Sequence, residues 1–184
     1  MSASDYPSVH AKTVAEWRRW LTANHAKQPG VWLVSYKRAT RRPFVEYEDA
    51  VLEALCYGWV DGQLRPIDGT RSALLFTPRR AGSGWARSNK LRVAKLTKEG
   101  RMRPAGLAKV AAAKRDGSWT LLDSVEALEI PADLKKALGD ARATKAFDAL
   151  TPGVRKQHLY QLVTAKRAET RAKRIGAIVA SLRA

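Results

Sequence analysis

Every stretch of this chain that can make a β-strand lies before Pro78, and beyond it apolar side chains recur only at helical spacing. Val31-Trp-Leu-Val-Ser-Tyr36 is rich in β-branched and aromatic residues between turn signals, and two shorter strands are expected around Gln63–Ile67 and Ser72–Thr77, separated by Asp68-Gly69. A helix is expected from Thr13 to about Ala26: Thr13 can cap, Glu16 stands three residues on, and Trp17, Trp20 and Leu21 share a face. A second is expected over Tyr47–Tyr57, stopped at Gly58. The expectation is an α+β fold, with a small antiparallel sheet covered by helices in the N-terminal part and an all-helical C-terminal half.

After Pro78 helices are expected from Ser88 to Glu99, from Pro104 with Leu107, Val110 and Ala111 facing inward, over Ala132–Leu138 and Asp140–Leu150, and finally over Val154–Lys166 and Ala168 to about Leu182. No long linker divides the chain. The organisation read from the residues is an α+β domain over 1–115 with a basic loop-helix segment and a helical subdomain over 132–184, the acidic stretch 116–131 being the best place for a hinge.

Charge is the next constraint. The chain of 184 residues has a formal net charge of +17, unevenly spread. Residues 79–115 hold 12 Lys/Arg against 1 acid, and residues 140–184 hold 10 against 3. Such blocks attract polyanions: nucleic acid, anionic lipid or an acidic protein surface. The alternative is that the arginines simply solvate helix faces. The single cysteine, Cys56, allows no internal disulfide and no cysteine-based zinc site. The polar start, Met1 to Tyr6, does not read as a signal peptide, and no apolar run approaches the roughly 20 residues that span a bilayer. The expected address is the cytoplasm.

Three places invite a functional reading. In the first, Ala81-Gly-Ser-Gly84 stands between Arg79/Arg80 and Arg87/Asn89/Lys90, just before a helix start, where backbone N–H groups and arginines favour an anion and Trp85 can stack a base. The competing reading is a connection whose Trp85 plugs the core. Neither a dinucleotide fingerprint nor a Walker lysine is present. In the second, Leu55-Cys-Tyr-Gly-Trp-Val-Asp61 offers Cys56 as a nucleophile, but the reading as a small buried hydrophobe outweighs it. A small-molecule pocket lined by Trp59, Asp61, Arg79 and Trp85 is the related alternative, with Asp61 free to pair with Arg79. In the third, Arg167, Arg171 and Arg174 recur at i, i+4, i+7 on the last helix beside Lys166 and Lys173, which fits either a phosphate-tracking stripe or a solvated face. His10, His25 and His158 show no metal-ligand spacing, and neither catalytic residues nor a cofactor are expected.

Several strings in one order resemble the YdeI/OmpD-associated, or bacteriocin-protection, family: Glu16-Trp17 and Trp20-Leu21, Ala54-Leu-Cys-Tyr-Gly-Trp-Val-Asp-Gly62, Phe76-Thr-Pro-Arg-Arg80, Trp85, Asn89-Lys90, Glu99-Gly-Arg-Met102, Pro104-Ala-Gly-Leu107 and Ala165-Lys-Arg-Ala-Glu-Thr-Arg-Ala-Lys-Arg-Ile175. Gly69 and Ala86 depart from the family pattern, where an acid and a serine are common. The resemblance implies a bacterial stress protein linked to tolerance of bacteriocins or cationic antimicrobial peptides, with an outer-membrane porin named as partner in some relatives, and it implies no catalytic residue. A chain at +17 repels cationic peptides, so the expected partner is a polyanion, nucleic acid first. An adaptor for an acidic protein or membrane surface, and a small-molecule pocket or enzyme, are the alternatives.

Overall fold

The amino-terminal helix begins where its capping residue places it. In the computed structural model, which describes residues 5–182, the Thr13 side chain accepts a hydrogen bond from the Glu16 amide and α1 runs Val14–Asn24. Residues 1–4, part of the start read as lacking a secretion signal, lie outside the description. The chain divides into two compact units. The first runs up to Ser83 and resumes over Ser88–Gly117; the second comprises Gly84–Arg87 and residues from Ser118 onward.

The first unit holds a four-stranded sheet of order β1-β2-β4-β3, formed by β1 (Ser8–His10), β2 (Val31–Tyr36), β3 (Trp59–Pro66) and β4 (Arg71–Pro78). The last three are the expected antiparallel strands, β3 and β4 longer than the sequence suggests. β1 was not foreseen: three residues pair in parallel with β2, too short a run to show alternation. Asp68 fixes the β3–β4 hairpin by accepting the Thr70 and Arg71 amides on one carboxylate oxygen, at 2.8 and 2.7 Å.

Helix α2 (Tyr47–Cys56) is buried along most of its length and lies against α1. Trp17 of α1 ties the layers together: its indole donates to the Ala50 carbonyl at 3.1 Å, and its ring meets Phe76 of the sheet at 5.2 Å. The unit is completed by α3, which runs Arg87–Lys98 and belongs to it from Ser88 onward, and by α4 (Pro104–Arg115). α4 is turned differently from the sequence expectation. Leu107 is 46% exposed and Ala111 is exposed, while Gly106, Val110 and Ala113 are buried. The glycine decides this rotation. A Cβ on Gly106 would press into the Cys56 carbonyl oxygen, so the bare face is the one that closes on α2.

The second unit is helical: α5 (Asp123–Glu126), α6 (Ala132–Asp140), α7 (Thr144–Asp148), α8 (Pro152–Val163) and α9 (Ala168–Ser181). Its core joins Leu122, Val125, Leu134, Leu138, Phe147, Leu159, Leu162 and Ile178. α5 lies inside the acidic stretch read as a hinge, with Leu122 and Val125 packed into that core. The fold is α+β, with the sheet in the N-terminal half and helices dominating the rest.

Candidate functional site

Burial removes two of the proposed ligand groups from the surface. Trp85 is 2% exposed, with its ring 5.0 Å from Trp119, so its faces are held by protein and cannot receive a base. Arg79 is 6% exposed, and its backbone N–H donates to the Gly58 carbonyl at 2.9 Å. Desolvation pushes the Arg79 guanidinium down to about 10, opposed by the charge of Asp61, so it stays protonated at neutral pH. Asp61 itself accepts from the Tyr47 hydroxyl at 2.7 Å. The Trp59 indole is buried, with its N–H on the His25 carbonyl at 3.2 Å. Cys56 is buried too, and desolvation pushes its thiol up to about 11, which suits a packing residue and not a thiolate nucleophile.

The loop read as an anion cradle meets the chain's own acids. Gly82, at φ 71°, donates its N–H to the Asp116 carboxylate at 3.2 Å, and the Arg87 N–H points to Glu126 at 3.4 Å. Donors expected to be open for a ligand are in part answered from within. Arg80 and Arg87 remain exposed. Lys90 is half-buried, and Asn89 accepts from Arg92, whose guanidinium also forks onto Glu48 at 2.9 and 2.6 Å.

The α9 stripe divides between bracing and exposure. Arg171 binds both Asp133 oxygens, at 2.5 and 2.9 Å, and the Leu162 carbonyl at 2.9 Å. Arg174 donates to the Gln161 carbonyl and to the Thr164 hydroxyl. Both therefore tie α9 to the end of α8 through backbone carbonyls of its last turn. Lys166, Arg167 and Lys173 are exposed.

What attention to the loop overlooked is the helix pair that follows it. Lys95 and Lys98 on α3, Arg103 just before α4, and Lys114 and Arg115 at its end are all exposed. Lys98, Arg103 and Arg115 form no ion pair among the described residues, and Glu99, the one acid in the block, is taken by Arg101 at 3.0 Å. The signal was present in the charge count, which pointed to the whole block and not to its glycines. Among the described residues no group of His, Cys, Asp and Glu is placed to hold a metal, and no helix is long and apolar enough to cross a membrane.

Residues 127–184 match the family model described as Bacteriocin-protection, YdeI or OmpD-Associated. The carboxy-terminal segment carries the YdeI/OmpD-associated match. The match covers α6 to α9, whereas the resemblance read from the residues began at Glu16. Residues 9–109 match instead the Domain of unknown function (DUF8412), and the chain belongs to that domain family. No curated protein and no solved structure matches.

Within the YdeI/OmpD-associated segment, Arg171→Ala is expected to lower stability by about 1–1.5 kcal/mol, the scale of charge-assisted hydrogen bonds removed from a half-exposed position. Urea unfolding checks this, and an unchanged midpoint would remove the bracing role.

Proposed function

We propose that this protein, whose carboxy-terminal segment matches the YdeI/OmpD-associated model, is a non-catalytic, cytoplasmic binder of polyanions, nucleic acid foremost, acting in a bacterial stress or bacteriocin-tolerance setting. The observation that carries the proposal is the α3–α4 block: exposed Lys98, Arg103 and Arg115 without ion pairs among the described residues, in a stretch of 12 cations whose single acid is already bound. Cations in water can displace counterions condensed on a polyanion, whereas one already held by a carboxylate, as Arg92 is by Glu48, is less available to do so. The interactions expected are with phosphates and not with bases, since the aromatic residue nearest the loop, Trp85, is buried.

The test is a titration of the full chain with a duplex and a single-stranded oligonucleotide across a salt series. Log affinity is expected to fall linearly with log salt, and replacing Lys98, Arg103 and Arg115 by alanine is expected to lower that slope by about 1 for each phosphate no longer neutralised. No binding at low salt, or a slope untouched by the triple variant, would overturn the proposal. Capture of an acidic protein that survives nuclease treatment, in the absence of oligonucleotide binding, would favour the adaptor reading instead.

A further inference from the structure

One face of the sheet is graded from apolar to hydroxylic to cationic. Register places Leu33, Leu74 and Leu64 side by side across β2, β4 and β3, and two residues further along the same face Ser35 stands opposite Ser72. Exposure rises across the leucine row, from 2% at Leu33 to 69% at Leu64. A cavity of about 460 Å³ lies over this floor, bounded by Ala50 of α2 and by the segment that follows β2. That volume falls in the range of about 300–1,000 Å³ typical of small-molecule sites.

The polar end of the cavity is prepared for a negative charge. Ser35 and Ser72 make no side-chain hydrogen bond among the described residues, and both line the cavity. Lys37, next along the chain from β2, uses one ammonium donor on the Asp68 carbonyl at 2.9 Å and has no ion-pair partner among the described residues. Residues 37–42 contain Lys37, Arg38, Arg41 and Arg42 and no acid. Glu46, the one acid lining the cavity, is bound to Arg38 at 2.5 Å.

We infer that this cavity binds an organic monoanion with an apolar body, a medium-chain carboxylate, with its tail on the Leu33–Leu74–Leu64 row and its head at Ser35, Ser72 and Lys37. A nucleic-acid backbone does not fit it, because a phosphodiester would leave the leucines uncovered; the site is additional to the polyanion surface. An amine of the same length meets the Lys37 ammonium at that end and binds more weakly.

Octanoate, 1-octanol and octylammonium, each added below its aggregation limit to the isotopically labelled full chain, give the test by amide chemical shifts. Octanoate is expected to saturate one site with shifts centred on Leu33, Ser35, Ser72 and Leu74, and octylammonium to bind at least about tenfold more weakly. Lys37→Gln is expected to weaken octanoate about threefold and leave octanol unchanged. Leu64→Asp, at an exposed position that leaves the fold intact, is expected to weaken octanoate more than octanol. Equal binding of the three compounds, shifts located elsewhere, or concentration-dependent broadening from a second copy of the chain seated on the leucines would each overturn the inference.

Discussion

Replacing both Arg18 and Arg101 by methionine is expected to destabilise the first unit by about 3–5 kcal/mol, the cost of leaving a buried charge without its partners. The charge is Glu53, 1% exposed on α2. Arg18 of α1 reaches it with Nε at 2.7 Å and a terminal nitrogen at 2.5 Å, and Arg101, between α3 and α4, adds a third hydrogen bond at 2.5 Å. Burial pushes the Glu53 carboxyl up, but hydrogen bonds from Arg18 and Arg101 together outweigh it and hold the group below the ordinary carboxylate range. The arginines are half in water, so either alone covers part of the charge, and the two single variants are expected to sum to less than the double.

The pH dependence gives a second, independent readout. In the native protein the folded-state acidity of Glu53 is enhanced, so its contribution is fully present above the unfolded carboxylate pKa of about 4.3 and is lost as pH falls through the lower folded value. In the double variant only burial acts on Glu53, its folded pKa rises above the unfolded one, and acidification toward pH 4 becomes stabilising relative to pH 7. Urea unfolding at the two pH values, followed by tryptophan fluorescence, measures both. Four tryptophans, Trp17, Trp20, Trp32 and Trp59, report on the first unit. A loss below about 1 kcal/mol with an unchanged pH profile would show that Glu53 is not held as described.

Gly106→Ala is expected to destabilise the same unit by about 2–3 kcal/mol, although glycine to alanine inside a helix is ordinarily worth about 1 kcal/mol of stabilisation. The added methyl would press on the Cys56 oxygen and stand 2.8 Å from the Leu55 oxygen, both backbone atoms that no side-chain rotation can move. The Arg103 N–H also donates to the Cys56 carbonyl, at 3.0 Å, so the close approach both packs α4 on α2 and satisfies a carbonyl at the end of α2. Steric repulsion at such range outweighs helix propensity. Gly139 and Gly176, on helices of the second unit, have no atom within 4 Å of an added Cβ, and alanine there is expected to be neutral or stabilising. Equal effects at Gly106 and Gly139 in thermal unfolding would overturn the assignment.

Much of the element content was legible in the residues because its causes are local. Thr13 with Glu16 starts α1, Pro104 opens α4, and Gly58, Gly100 and Gly117 take φ of 75°, 66° and 78° as helices end. The β-branched and aromatic content of Val31–Tyr36 is a property of six adjacent side chains, and it returned the strand without error. β1 escaped because three residues carry no period, and α5 because a single turn with two acids resembles a loop.

The candidate site was less legible, since a charge in the sequence has no partner until the chain has folded. Arg171 and Asp133 are 38 positions apart, Arg92 and Glu48 are 44 apart, and no local rule separates these neutralised arginines from Lys98, Arg103 and Arg115. Likewise Trp85 beside Gly84 reads equally as a stacking platform or a plug, and only its 2% exposure decides. The sequence by itself determined the segregation of strands from helices and the amount and blocks of positive charge. Tertiary structure alone decided which cations face water, which face of α4 is bare, and that a graded apolar-to-cationic cavity opens on the sheet, because each depends on distances between residues that chain order does not bring together.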